Sequence, residues 1–204
     1  MDIDWIRLSF AFLIMFHTLA RTILHNRASN WEESSKIEDA KSFSDKFRGF
    51  GVYTLWFTAT CVIWAVFPEW LRWGAIPLPD WFRWAGIATI AMCEAGLVWV
   101  GMALGPNFNG SVRLNDDHQL VLRGPYRWVR HPMYSITNVI VVALGVASAN
   151  WALLLVGLST YTVVILLRIS KEEMMMVERF GSDYILYQAR VGALFPRIGW
   201  GKHP

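Results

Sequence analysis

The chain has 204 residues, of which 54% are hydrophobic and 17% charged, with 12 tryptophans, two cysteines and a net charge of +3. An average soluble domain is about 45–50% apolar and about 25% charged, so the composition excludes disorder, a collagen-like chain and a disulfide-stapled secreted fold, and argues against a water-soluble globule. A mean hydropathy of +0.32 makes a lipid bilayer the expected solvent.

A membrane-crossing helix needs about 20 mostly apolar residues, because the hydrocarbon is about 30 Å thick and each residue rises about 1.5 Å. The first such stretch is 5–24, interrupted by Arg7, His17 and Arg21. It lacks the basic start of a signal peptide and exceeds the usual length of its apolar core. The segment 31–49 is strongly charged, with hydrophobes at Ile37, Phe43 and Phe47, and reads as a solvated linker or a short surface helix. Two further spans follow, 50–67 without a charge and 84–104 with Glu94 alone. Cys61 and Cys93 lie inside them and read as small packing residues.

The next loop is rich in chemistry. Asp116-Asp117-His118-Gln119-Leu120-Val121 is followed by Gly124-Pro125-Tyr126 and by Arg130-His131-Pro132-Met133-Tyr134. Pro132 suits the first turn of a helix. Arg130 and His131 then stand at a helix N-terminus, where free N–H groups and the positive dipole end favour an anion. Basic and aromatic residues at this depth also make an interfacial anchor. Asn109-Gly110-Ser111 matches a glycosylation acceptor, but on the side expected to be cytoplasmic.

Residues 134–167 run for 34 positions without a charge, about 51 Å as one helix and too long for a single crossing. Ala147-Ser148-Ala149-Asn150 supplies a turn near the midpoint, giving spans at 134–149 and 151–167. Beyond them come Arg168, Glu172 and Glu173, then Met174-Met175-Met176, Phe180 and Gly181. Gly181 reads as a helix stop. Arg168 and Glu172, four apart, share a face, and Glu173 is turned about 100° away, so one carboxylate is expected to be structural and the other to face a site. Ser182 and Asp183 suit the cap of a short helix carrying Tyr184 and Tyr187, ended by Pro196. The methionines and tyrosines also suit a face lying on the membrane.

Five spans put 16 of the 19 basic residues on one side, leaving Arg7, Arg72 and Arg83 on the other. By the positive-inside rule the N-terminus is outside and the C-terminus cytoplasmic, in the cell inner membrane for a prokaryotic source. Most of the chain outside the membrane lies on that one face, as an enzyme drawing on a soluble cosubstrate would place it. The basic residues are spread over three loops among acids, which is no nucleic-acid footprint. Glu94 and His17 fall near mid-membrane, where an ionisable group is functional or paired. A packing contact between them is the preferred reading.

Gly124-Pro125-Tyr126, Arg130-His131-Pro132-Met133-Tyr134, Glu172-Glu173 and Phe180-Gly181 followed by Tyr184, Tyr187 and Pro196 resemble, in order and spacing, the isoprenylcysteine carboxyl methyltransferase family, in particular its compact prokaryotic members. The resemblance covers about residues 95–197. It implies an all-α polytopic membrane fold in one domain, 1–204, with five transmembrane helices, the last two a hairpin. Cofactor-binding elements are then 116–134 and 168–197, and S-adenosylmethionine is the cofactor, with no metal.

The resemblance further implies that Gln119, Leu120 and Val121 run along the cofactor and that Gly124 and Tyr126 form its turn. Arg130, His131, Tyr134, Glu172, Glu173 and Tyr187 complete the cofactor set. Ser135 departs from the Gly or Ala expected after Tyr134. The methyl acceptor is a lipophilic or lipidated molecule from the membrane. An isoprenylcysteine-type carboxylate needs only a cation, for which Arg168 is the candidate. An amine or thiol needs a base, for which Glu173 or His131 is the candidate. N- or S-methylation of a phospholipid amine or thiol, a NADPH-dependent sterol-reductase-like activity and a small transporter are the alternatives.

Overall fold

The computed structural model describes residues 4–16, 58–105 and 119–197. The expectations for His17, for the segment 31–49, for the acceptor at Asn109 and for Asp116 to His118 lie outside the described residues, as do the C-terminal part of span 5–24 and the start of span 50–67.

The described chain is helical. Helix α1 is Trp5–Phe16 and α2 covers 58–66. A 3-10 helix, Pro68–Gly74, leads to α3, Asp80–Leu104. A second 3-10 turn, Gly124–Arg127, precedes α4, Pro132–Ser148. Helix α5 is Trp151–Phe180 and α6 is Ser182–Arg190. Among the described residues, β-pairing is confined to two isolated bridges, Ala75 with Asn150 and Val129 with Gly192.

The boundaries follow local chemistry. Pro79, in extended backbone, sets the start of α3 at Asp80, four residues before the apolar run, and places Asp80 against the positive end of the helix dipole. Pro132 occupies the first turn of α4, where its missing N–H costs nothing. Helix α4 ends as Ala149 turns left-handed, at φ 49°.

Asn150 then caps α5, its Oδ1 accepting from the N–H of Ala152 at 3.0 Å and of Leu153 at 3.2 Å. Its Nδ2 donates to the Leu71 carbonyl at 2.8 Å, so one buried side chain fixes both the α4–α5 turn and the 3-10 helix beside it.

Helices α3, α4 and α5 pack in sequence around a core of Phe10, Trp64, Ile90, Ile140, Leu144 and Leu153. At 25 and 30 residues, α3 and α5 are long and apolar enough to cross a membrane, while Trp5–Phe16 and Pro132–Ser148 are shorter apolar helices. Glu94 is buried in α3.

The C-terminal end differs from expectation in two details. Gly181, at φ 53°, closes α5 and is itself the N-cap of α6, with no side-chain cap from Ser182 or Asp183. Helix α6 ends at Arg190, well before Pro196, because the chain there leaves to pair with the segment before α4.

Candidate functional site at the α4 and α5 ends

Residues 168–180 of α5 extend beyond its apolar run, about three and a half turns, and Glu172 and Glu173 among them face the start of α4. Both consecutive carboxylates, Glu172 and Glu173, converge on His131. Glu172 Oε2 lies 3.5 Å from His131 Nδ1 and Glu173 Oε1 2.9 Å from Nε2, so the imidazole bridges them edge to edge. The expectation that Glu173 faces elsewhere fails because His131, at the α4 N-cap, presents both ring nitrogens across the gap between α4 and α5.

Each carboxylate has further partners. The Tyr134 hydroxyl donates to Glu172 Oε1 at 2.6 Å, and Arg168 Nε lies 3.4 Å from the same oxygen. Arg130 meets Glu173 fork to fork, Nε to Oε1 at 2.8 Å and Nη2 to Oε2 at 3.0 Å, the bidentate geometry that gives such pairs their strength. The Gln188 amide also donates to Glu173 Oε2.

The charges follow from these contacts. Burial works to raise Glu173, but hydrogen bonds from His131 and Arg130 and the guanidinium charge outweigh it and hold the carboxyl at about 2. Glu172 is lowered too, its burial offset by His131, Tyr134 and Arg168. Burial works to lower His131, yet its bonds to both glutamates win and the imidazole is raised. The contacts therefore favour the ionised form of both carboxylates and the protonated form of His131.

The remaining predicted residues frame this centre. Gly124 has φ +60°, and a Cβ there would lie 3.2 Å from Ala103 Cβ, so glycine allows the 3-10 turn to approach α3. Trp128, just past that turn, packs beside Trp99 of α3, ring centres 5.8 Å apart. Tyr126 follows in the turn, and its carbonyl accepts from the Tyr187 hydroxyl at 2.5 Å. Tyr184 and Tyr187 are both buried, and burial pushes the Tyr187 phenol up to about 12, so the tyrosine face of α6 covers the site and does not lie on lipid. Gln119, exposed, and the half-buried Leu120 and Val121 lead into the Gly124 turn.

Two features were not foreseen. Gln188, one residue beyond Tyr187 on α6, could have been placed by helical spacing. The backbone carbonyls of Gly192 and Ala193, which accept from Arg130 N–H and His131 N–H at 2.9 Å each, leave no trace in side-chain patterns. They occupy two of the donors that the sequence left open for an anion at the α4 N-terminus.

These elements define a helical protein with two helices long and apolar enough to cross a membrane and a charged site built on the C-terminal half of the chain. Residues 86–178 match the isoprenylcysteine carboxyl methyltransferase family, the family that the motifs around Arg130-His131-Pro132 and Glu172-Glu173 resemble. A protein-S-isoprenylcysteine O-methyltransferase of Tribolium castaneum is 33% identical over 106 residues, 48% of this chain and 35% of that protein. The Homo sapiens protein of the same name is 31% identical over 102 residues, 46% of this chain and 34% of that one. Matched over about a third of these relatives, the chain shares only part of their length.

A solved structure of the eukaryotic intramembrane Ras methyltransferase ICMT matches with a TM-score of 0.57 at 21% identity, covering 93% of this chain and 64% of that one, a likeness of fold. This likeness and the two long apolar helices, α3 and α5, support an integral membrane location.

Proposed function

We propose that this protein is an integral membrane methyltransferase that moves a methyl group from S-adenosylmethionine to a carboxylate on a lipophilic acceptor, of the isoprenylcysteine type, taken from the membrane. The cluster fits such a cofactor: carboxylates of Glu172 and Glu173 for an ammonium or a ribose diol, the rings of Tyr126 and Tyr134 beside them for a cation, and the 119–121 strip leading into the turn. S-adenosylmethionine, when bound, supplies an electrophilic methyl on a sulfonium.

The observation that favours a carboxylate acceptor is the state of the two candidate bases. A general base is most effective with a pKa near the working pH. Glu173 is held at about 2, and both ring nitrogens of His131 already face carboxylates, so neither group offers a free lone pair suited to take a proton from an amine or thiol. An acceptor carboxylate is already ionised and needs only a cation and alignment, since in-line displacement gains chiefly from positioning. Arg168, beside Glu172 at the end of the apolar part of α5, is the cation we assign to it. The five-span topology, with the N-terminus outside and this site cytoplasmic, rests on the distribution of basic residues.

Calorimetric titration of the purified protein in detergent tests the cofactor. S-adenosylhomocysteine is expected to bind and NADPH not to. Binding of NADPH without S-adenosylhomocysteine would replace this reading with a reductase.

A further inference from the structure

The side chains that would meet a ligand are shut in: His131 is 9% exposed, Arg130 10% and Glu173 16%. What closes over them is α6 and the chain leaving it. From Val191 onward the backbone doubles back along the segment before α4, and three successive carbonyls find donors there. Arg130 N–H binds Gly192 O and His131 N–H binds Ala193 O, each at 2.9 Å. The Ser135 hydroxyl binds Leu194 O at 2.6 Å. Glycine is required at 192, where a Cβ would lie 1.9 Å from the Phe195 carbonyl oxygen.

The first two bonds are backbone to backbone and independent of side chains. The third is made by one hydroxyl, and that hydroxyl has an alternative. Ser135 Oγ is also 3.2 Å from the His131 carbonyl, the acceptor four residues back that helical serines commonly use. It can therefore release Leu194 without being left unsatisfied.

We infer that residues 191–195 form a strap across the charged cluster, that Ser135 is its latch, and that turning this hydroxyl from Leu194 O to His131 O opens the way for cofactor exchange. Ser135 is a positioning residue in this account: it touches the strap and no reacting group. The strap and latch stand on the geometry alone, and their link to cofactor exchange rests on the proposed methyltransferase reading.

Hydrogen exchange of the full chain in detergent, for wild type, S135A and S135T, separates the two. S135A is expected to speed exchange of the amides at 192–195 about fivefold, the equivalent of one neutral hydrogen bond, with α5 unchanged and S135T close to wild type. S-adenosylhomocysteine is expected to leave S135A about fivefold faster than wild type. Unchanged exchange at 192–195 in S135A, equal acceleration throughout α5, or failure of S135T to restore protection would overturn the latch. Absence of S-adenosylhomocysteine binding in the wild type would overturn the link to cofactor exchange and the cofactor reading, while the exchange comparison still decides the latch.

Discussion

Arg130 and Glu173, 43 residues apart in the chain, meet through two parallel hydrogen bonds of 2.8 and 3.0 Å. The guanidinium also reaches the carbonyls of Gln188 and Val191, so one side chain ties together the start of α4, the end of α5 and the end of α6.

Removing it leaves a buried carboxylate without its main partner, which costs about 3–5 kcal/mol where burial is complete. With Glu173 still 16% exposed, Arg130→Met is expected to cost about 3 kcal/mol, read as a fall in the thermal midpoint in detergent. Arg130→Lys keeps the charge but cannot reproduce the fork, and should recover less than half of the loss. Full recovery by lysine would show that charge alone matters.

Stability should follow pH on both sides. His131 is raised in the fold, so its contribution is complete below the unfolded histidine value of about 6.5 and is lost as pH rises through the raised value. Glu173 is lowered to about 2, so its contribution is complete above the unfolded carboxyl value of about 4.3 and is lost as pH falls towards about 2. Both are fully present only around pH 5–6. Thermal midpoints measured across this range should fall on the alkaline side in the wild type and flatten there in His131→Gln. An unchanged alkaline slope in that variant would assign the loss to another group.

Tyr187→Phe removes the hydroxyl that binds the Tyr126 carbonyl at 2.5 Å and leaves that carbonyl without this donor. The expected cost is about 1 kcal/mol. Because Tyr126 shapes the turn after Gly124, the affinity for S-adenosylhomocysteine should weaken by a comparable factor, about fivefold. A stability loss with unchanged affinity would place the 124–127 turn outside the cofactor site.

Much of this was legible in the residues themselves. Pro132 and Gly181 mark helix ends because proline and glycine act locally, through a missing N–H and a permissive backbone, and the structure starts α4 and stops α5 at those points. Arg130, His131, Tyr134, Glu172 and Glu173 stand together, as their motifs imply. The illegible part was the direction in which groups point. A helical wheel turns Glu173 away from Glu172, yet a bridging imidazole brings both carboxylates together. The 191–195 segment was hidden because its contacts run through backbone carbonyls, which every residue carries alike.

The central claim is methyl transfer to a carboxylate by a site whose two nearest candidate bases, His131 and Glu173, are bonded to each other. Incubating the purified protein with methyl-labelled S-adenosylmethionine and membranes, then treating the product with base, tests it directly. Release of the label as volatile methanol, lost in Arg168→Ala, is the predicted result. Label that stays bound through base treatment would mean nitrogen or sulfur as the acceptor and would contradict the account.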